Sequence, residues 1–307
     1  MKEKWNALSN YWKGTIYANF FGICASVLSL WIAKKNSDVA GLMVFSLFTV
    51  VPVLIGVLSV KYLTNEESST RFLFRQVLRN FVVILIWAVA VLKEGYICLL
   101  IVSPLIIAFL LLGAGLGVYL YSGKNNKARL SVFGTLLLIY VFDILSANSV
   151  AYEVSDTLIV NAPPSKVWPN VVAFDEVEAP SEYWLFDIGL PKVVAATVTE
   201  RKVGGGRKCV FENGISFDEK IVVYEPEKNL TFDIVKMPQD PEIIGHINLK
   251  RGQFKLKDNG NGTTTLEGVS WYDLKVFPAW YYNIWAESIT RNVHMRAMKH
   301  IKKLSER

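Results

Sequence analysis

Cysteine and histidine are scarce in this chain, and the motifs of most enzyme classes are missing. There are three of each in 307 residues, and no two cysteines stand in a CxxC spacing. Cys24 and Cys98 lie in apolar runs and Cys209 stands alone in the second half, so no disulfide framework forms there. No Cys/His metal spacing, phosphate loop, paired-carboxylate spacing or Ser/His/Asp order is evident. We expect no metal and no cofactor, and the sequence leaves any catalytic residues unidentified.

The second half of the chain has no excess of basic residues. Residues 1–149 hold 13 Lys/Arg and 6 Asp/Glu, a balance of +7, whereas residues 150–307 hold 20 and 21, a balance of −1. The sequence pI of about 9.0 therefore arises in the first half, where Lys and Arg stand between apolar runs. This pattern is typical of membrane topology. It argues against a nucleic-acid partner, which requires a basic face on a folded domain.

Long apolar runs fill the first half. Residues 14–33, 40–60 and 130–149 are each about 20 mostly apolar residues, which is the length needed to cross a hydrocarbon core of roughly 30 Å. The composition changes near residue 150, where alternating apolar and polar residues begin. We therefore divide the chain into a multi-span transmembrane domain, 1–150, and a second domain, 151–307.

The middle of the first half allows two interpretations. Apolar runs at 81–92 and 96–121 are separated by the polar turn Lys93-Glu94-Gly95. Either this turn joins two spans as a hairpin, or residues 71–92 form an interfacial helix before a single span. The second interpretation places three basic side chains on one helical face: Arg71, Arg75 and Arg79.

The distribution of Lys and Arg discriminates between four and five spans. With the N-terminus inside, five spans leave ten Lys/Arg inside and three outside, whereas four spans leave eight inside and five outside. Basic loops stay on the cytoplasmic side. The sequence therefore favours five spans and an extracytoplasmic second domain, with four spans and a cytoplasmic second domain as the alternative.

Three features of the apolar half could suggest a site. Gly113 and Gly117 stand four apart in an apolar run without a surrounding βαβ unit, so we interpret them as a close helix contact. Asp143 lies within the last run, close to its polar end, and we favour a structural or interfacial role. Glu94 with Gly95 and Pro104 could form a re-entrant segment, but the sequence supplies no matching ion relay, so the role of Glu94 stays open.

The residue pattern of the second domain predicts one strand, two short helices, six further strands and a long helix. A double proline at 163–164 is suited to the first turn of a helix, and the polar segment DNGNG (258–262) predicts a hairpin. A change of apolar parity near Arg251–Gly252 predicts a β-bulge. The predicted strands are 154–161, 193–203, 207–213, 215–226, 229–235, 246–257 and 263–276.

The chain ends in a long amphipathic helix, predicted over residues 279–305. Its apolar residues recur at spacings of four or three, which forms one continuous stripe. This order predicts an α+β fold in which a curved, seven-stranded antiparallel sheet wraps the helix. A helix that does not fill such a sheet leaves a cavity, which is the default binding site for an apolar ligand. The stripe consists of Tyr281, Trp285, Ile289, Val293, Ala297, Ile301 and Leu304.

This order and several segments resemble the START-like, helix-grip superfamily, also called SRPBCC or polyketide cyclase/dehydrase-like. The junction APPSKVWPNVVAFD (162–175) is similar to the superfamily's first strand-to-helix junction. GGGRKCVFENG (204–214), RGQFKL (251–256) and the segment 271–301 are similar to the bacterial membrane-anchored subgroup. The resemblance covers residues 152–305 well. In the first half it is confined to the general arrangement and EGYICLLIVSP (94–104).

The resemblance implies an integral protein of the bacterial inner membrane whose second domain binds a hydrophobic ligand. Members of the superfamily bind lipids, sterols or polyketides, and some catalyse cyclisation or aromatisation. The expected partners are therefore the lipid bilayer and a lipid-like small molecule, whose identity stays open, as does the oligomeric state. Residues expected to face the cavity are Trp184, Glu212, Arg251, Trp271, Tyr272, Trp285, Arg291 and His294.

Two of these residues have the clearest chemistry. Arg291 and His294 lie one turn apart on the last helix, so both could polarise a carbonyl or bind a carboxylate of one ligand. The alternative is structural, with His294 bridging helix to sheet and Arg251 pairing with an acid. Three functions follow: a membrane-tethered carrier or sensor, which we favour and which is not an enzyme, a cyclase-like enzyme, and a ligand-free interaction module.

Overall fold

The computed structural model describes most of the chain in two compact units. One unit comprises Met1–Asn148 with Val276–Pro278, and the other comprises Ser149–Lys275 with Ala279–Arg307. We call them the helical unit and the sheet unit. The described residues are 2–35, 44–64, 69–122, 126–145, 149–177, 182–238, 240, 242, 246–276 and 278–307.

The helical unit contains α-helices over the predicted apolar runs. The π-helical turn Ala88–Leu92 continues α5, and the short segment 93–95 then joins it to α6. Residues 40–43 and 146–148 of the predicted runs lie outside the described part. The helices are α1 (Lys2–Ala7), α2 (Asn10–Lys35), α3 (Val44–Phe48), α4 (Val50–Ser59), α5 (Thr70–Trp87), α6 (Tyr96–Ser122) and α7 (Asn126–Leu145).

Two helices of the described chain are long and apolar enough to cross a membrane. They are Thr70–Leu92 and Tyr96–Ser122, and a shorter apolar helix runs over Ser46–Ser59. Length and composition alone define them, and core helices of soluble proteins meet the same criteria. They show that membrane crossing is possible, whereas the number of spans and the orientation stay predictions.

The glycines at the predicted helix contact allow α4 and α6 to pack closely. A Cβ on Gly113 would lie 2.2 Å from the carbonyl oxygen of Val53, and one on Gly117 would lie 2.7 Å from that of Val57. Any larger residue would force the helices apart. The predicted small-residue contact is therefore confirmed. On α7, the Oδ2 atom of Asp143 accepts a hydrogen bond of 3.0 Å from the backbone N–H of Ser46, which fits the favoured structural role.

The sheet unit is a single seven-stranded antiparallel sheet, as the sequence predicts, and its strand order is β1-β7-β6-β5-β4-β3-β2. Helices α8 (Pro164–Val172) and α9 (Trp184–Asp187) follow β1, and the predicted long helix is α10 (Ala279–Ser305). The first residues of the predicted second short helix, 179–181, lie outside the described part. The strands are β1 (Val150–Val160), β2 (Val193–Val198), β3 (Gly206–Phe211), β4 (Ser216–Glu225), β5 (Asn229–Lys236), β6 (Ile247–Asp258) and β7 (Thr264–Leu274).

The predicted bulge in β6 decides which residues face α10. Gly252 pairs with Ser270 and Arg251 with Trp271, but Leu249 pairs with Tyr272, so the register shifts between Leu249 and Arg251. One extra residue reverses the side-chain alternation. Leu249 and Gly252 therefore share the inner face of the sheet although they stand three apart.

The hydrophobic core fills one end of the space between sheet and helix, which we call the packed end. Trp168 of α8 is 7% exposed there, and Met298 and Ile301 of α10 are fully buried. Neighbouring aromatic rings complete the packing, with the centroids of Phe232 and Phe254 6.3 Å apart. Helices α8 and α10 thus close the sheet at this end.

Candidate functional site

A polar cluster lies on the inner face of the sheet, beyond the packed end. Asp156 pairs with Gly268 across β1 and β7, and Val154 pairs with Ser270. Even-numbered residues of both strands point inwards, because a Cβ on Gly268 would touch Met298 of the core. The strands therefore present Asp156 and Ser270 to α10, which supplies Arg291 and His294 one turn apart.

His294 bridges two strands through both ring nitrogens. Its Nδ1 lies 2.9 Å from Oδ2 of Asp156, and its Nε2 lies 2.7 Å from Oγ of Ser270. The ring is buried, with only 8% of the side chain exposed, and the Asp156 side chain is 11% exposed. Helix and sheet are thus joined by a Ser–His–Asp chain of hydrogen bonds.

The chemistry of these partners fixes the imidazole tautomer. A carboxylate only accepts hydrogen bonds, so the proton of the neutral ring lies on Nδ1 and is donated to Asp156. Nε2 then has a free lone pair and accepts the hydroxyl proton of Ser270. Burial lowers the pKa of His294, while the hydrogen bond to Asp156 opposes this effect. The ring is therefore neutral at neutral pH.

Asp156 also binds Arg291, and this contact provides a counterion for the guanidinium group. Nη1 of Arg291 lies 2.6 Å from Oδ1 of Asp156 and 2.9 Å from the carbonyl oxygen of Ser155. Nη2 lies 2.8 Å from Oε1 of Glu287. The expectation that Arg291 binds a ligand carboxylate is not supported by this geometry, because two protein carboxylates already surround the guanidinium. Arg291 instead holds one oxygen of Asp156 while His294 occupies the other.

The sheet opens next to this cluster. The pairing of β5 with β6 ends at Asp233–Arg251, and beyond it β5 pairs only with β4 while β6 pairs only with β7. Apolar side chains of this region are half-buried, in contrast to those of the packed end. We call this region the open end, and it comprises Ile234, Ile247, Leu249, Trp285 and Ile289.

Two predicted cavity residues lie on the outer face, so their expected orientation is wrong. Arg251 donates from Nε to Oδ1 of Asp233 at 2.7 Å, and Trp271 donates from Nε1 to Oε2 of Glu153 at 2.8 Å. Both line a groove of about 830 Å³ whose lining also includes Gln253, Ile234 and Leu249. The β6 bulge is the physical reason for Arg251, because it changes which residues of that strand face inwards. Trp271 faces outwards because it alternates with the inward Tyr272 along β7.

The other candidates are dispersed. Tyr272 is 1% exposed and donates to Oδ1 of Asn283 at 2.9 Å, and burial raises its pKa to about 12. Trp184 is 49% exposed on α9. Glu212 pairs with Lys192 at 3.8 Å, and its side chain is 45% exposed. Of the eight candidates, Tyr272, Arg291 and His294 make contacts between the sheet and α10, and Trp285 is half-buried on α10.

The sequence patterns did not identify Asp156 and Ser270 as site residues, although the position of Asp156 contains a signal. Asp156 shares its strand face with Val154, Leu158 and Val160, so it is a charged residue at an apolar alternation position. A buried charge requires a partner, and this rule points to the basic residues of the last helix. The described residues include no group of three or more His, Cys, Asp or Glu that could hold a metal ion.

Comparison with known proteins gives structural likenesses of low similarity. No family model and no curated protein matches the chain. Norcoclaurine synthase from Thalictrum flavum matches at 14% identity and a TM-score of 0.36, over 52% of this chain and 96% of that chain. Protein MLL2253 from Mesorhizobium loti matches at 17% identity and a TM-score of 0.33, over 50% of this chain and 96% of that chain. The helix-grip arrangement is therefore assigned from the strand order and α10 themselves.

We predict that acid destabilises the sheet unit through its buried histidines. Burial lowers the folded-state pKa of both His294 and His300, so the unfolded chain binds protons first as pH falls below about 6.5. Stability is therefore present above that pH and is lost below it. The melting temperature should fall between about pH 7.5 and pH 5.5, and the fall should be smaller in His294→Gln. An equal or larger fall in this variant would contradict the assignment.

Proposed function

We propose that the sheet unit binds a hydrophobic, lipid-like ligand at the open end, as a carrier or sensor tethered to a membrane by the helical unit. The observation that supports this is the contrast between the two ends of α10. Its last turns pack Met298 and Ile301 into a closed core, whereas Trp285 and Ile289, nearer the start of the helix, stay half-buried. A ligand that covers these apolar groups gains about 25 cal/mol per Å² of buried apolar surface.

The charges of the polar cluster favour a ligand with an uncharged head group. Asp156 and Glu287 contribute two negative charges and Arg291 contributes one positive charge, while His294 is neutral. The local balance is therefore negative, which opposes a fatty-acid carboxylate or a phosphate. An ester, ketone or hydroxyl group can bind to the Ser270 hydroxyl without introducing charge.

A membrane tether suits such a ligand. A lipid-like molecule partitions into the bilayer, so a binding site held at the surface experiences a high effective concentration. The covalent link is short, since α7 ends at Leu145 and β1 begins at Val150. In the register of the sheet, Val150 lies opposite Leu274, and Leu274 also pairs with Ile247 of the open end. The chain thus enters the sheet unit at the end where we place the ligand.

We predict that a photoreactive lipid will label the open end. The probe is an uncharged diazirine-bearing diacylglycerol, incorporated into vesicles with the full chain. Adducts mapped by peptide mass spectrometry should include the segments around Ile247–Leu249 and Trp285–Ile289. The change Ile289→Asp should lower this labelling at least about tenfold, because a carboxylate in an apolar site costs several kcal/mol.

A matched variant controls for the helical unit, which also contacts lipid in such vesicles. Ile284→Asp places the same charge on α10 at a side chain that is already 61% exposed, and it should leave the labelling of the open end unchanged. Labelling confined to the helical unit would support the ligand-free interaction module and contradict the carrier. Equal losses in both variants would also contradict it.

We further predict that the C-terminus lies outside the cytoplasm, since five spans place most basic residues inside. Alkaline phosphatase, which is active only after export, should be active when fused after Arg307. The same fusion after Thr64, which follows the second predicted span, should be inactive. Activity of a cytoplasmic reporter after Arg307, with an inactive phosphatase, would overturn the orientation.

A further inference from the structure

We propose that Ser270 is the nucleophile of an acyl-transfer site, in which His294 is the base, Asp156 positions the imidazole and the substrate is an uncharged ester with an apolar acyl chain. This inference rests on the proposed function, because the open end would hold the acyl chain. It goes beyond binding by assigning a reaction to the polar cluster.

The geometry satisfies the requirements for an activated serine. The nucleophile and its base lie 2.7 Å apart, and the base is held by a third group at 2.9 Å. The three residues come from β7, α10 and β1, in the chain order Asp156, Ser270, His294. Such sites are recognised by geometry and roles and not by position in the sequence.

The direction of the hydrogen bonds is also the direction of proton transfer. Asp156 is a carboxylate paired with Arg291, so it accepts from Nδ1 and leaves Nε2 of His294 without a proton. The hydroxyl of Ser270 then donates to Nε2. The proton that must leave Oγ during attack therefore already points at the atom that would receive it.

The reaction balances with water as the second substrate. Oγ of Ser270 attacks the ester carbonyl carbon, and its proton passes to Nε2 of His294. The bond from the carbonyl carbon to the alcohol oxygen then breaks, and the alcohol leaves with that proton. A water molecule attacks the acyl-serine and gives a proton to His294. The bond to Oγ breaks, Ser270 regains the proton, and a carboxylic acid is released.

The negative surroundings favour release of this product. The ester that binds is uncharged, whereas the carboxylate formed lies beside Asp156 and Glu287, with Arg291 already bound by both. Repulsion between like charges weakens binding of the acid relative to the ester. The same charge balance that selects an uncharged ligand thus favours turnover over product inhibition.

The alternative is a structural role, in which Ser270 only satisfies the hydrogen-bonding capacity of the buried His294. The reactivity of the Ser270 hydroxyl towards an electrophile distinguishes the two roles. The full chain in vesicles is treated with an alkyl fluorophosphonate, which phosphonylates activated serines by displacement of fluoride. We expect the adduct on Ser270 by peptide mass spectrometry, and hydrolysis of a medium-chain p-nitrophenyl ester. Ser270→Ala should abolish both.

The matched control is Ser288→Ala. Ser288 lies on α10 and its hydroxyl is 3.0 Å from that of Tyr183, but it has no histidine partner among its described contacts. This variant should retain both labelling and hydrolysis. An adduct on another serine, no adduct on Ser270 in the unmodified chain, or equal losses in both variants would overturn the proposal, and the first two outcomes do not depend on any variant folding.

The positioning role of Asp156 has its own readout. In Asp156→Asn the amide can donate to Nδ1, which shifts the ring proton to Nε2 and removes the base. We expect phosphonylation to slow by about 10³–10⁴-fold and to lose the dependence on pH that follows His294 ionisation in the unmodified chain. A variant that keeps this pH profile would contradict the role.

The photoreactive diacylglycerol separates failure of this proposal from failure of the binding proposal. Lipid labelling of the open end without a Ser270 adduct would contradict the acyl-transfer proposal and support the proposal of a lipid carrier. A Ser270 adduct without lipid labelling would refute the diacylglycerol-type ligand while leaving the activated serine established. We expect Ser270→Ala to retain lipid labelling, because the apolar contacts of Trp285 and Ile289 are unchanged.

Discussion

The contact of Asp156 with both Arg291 and His294 is the constraint on which the candidate site depends. One carboxylate oxygen binds the guanidinium and the other binds the imidazole, so a single residue of β1 fixes two side chains of α10. Loss of this carboxylate would leave a buried histidine free to adopt either tautomer and would remove a counterion from Arg291. The orientation of Ser270, the neutrality of His294 and the local charge all follow from it.

The fold of the sheet unit could be predicted because its signals are local. Alternation predicts the strands, DNGNG the hairpin, and the four-residue stripe the helix Ala279–Ser305. The site could be predicted only in part, because it depends on register. His294 and Arg291 are visible on the stripe of one helix, but Ser270 and Asp156 meet them only after β1 pairs with β7. Arg251 lies on the outer face because one bulge residue reverses the alternation in β6, whereas Trp271 does so because it alternates with the inward Tyr272 in β7.

The two ends of α10 differ in how tightly their apolar side chains are packed. The packed end combines α8, the inner sheet face and the buried side chains of Met298 and Ile301, and it resembles the closed core of a ligand-free module. The open end leaves apolar groups partly exposed at a gap between β5 and β6. Exposed apolar surface beside a satisfied polar cluster is typical of a binding site. The proposed ester chemistry uses that cluster without requiring any further charged residue.

The protonation of His294 tests this account most directly. Nitrogen NMR of the full chain with labelled histidine, at about pH 7.5, distinguishes a protonated from an unprotonated ring nitrogen, and His294→Gln assigns the signals. The account predicts a neutral His294 with a proton on Nδ1 and an unprotonated Nε2, and a loss of this pattern in Asp156→Asn. A proton on Nε2 in the unmodified chain would contradict it, because Ser270 would then accept a hydrogen bond and could not be activated.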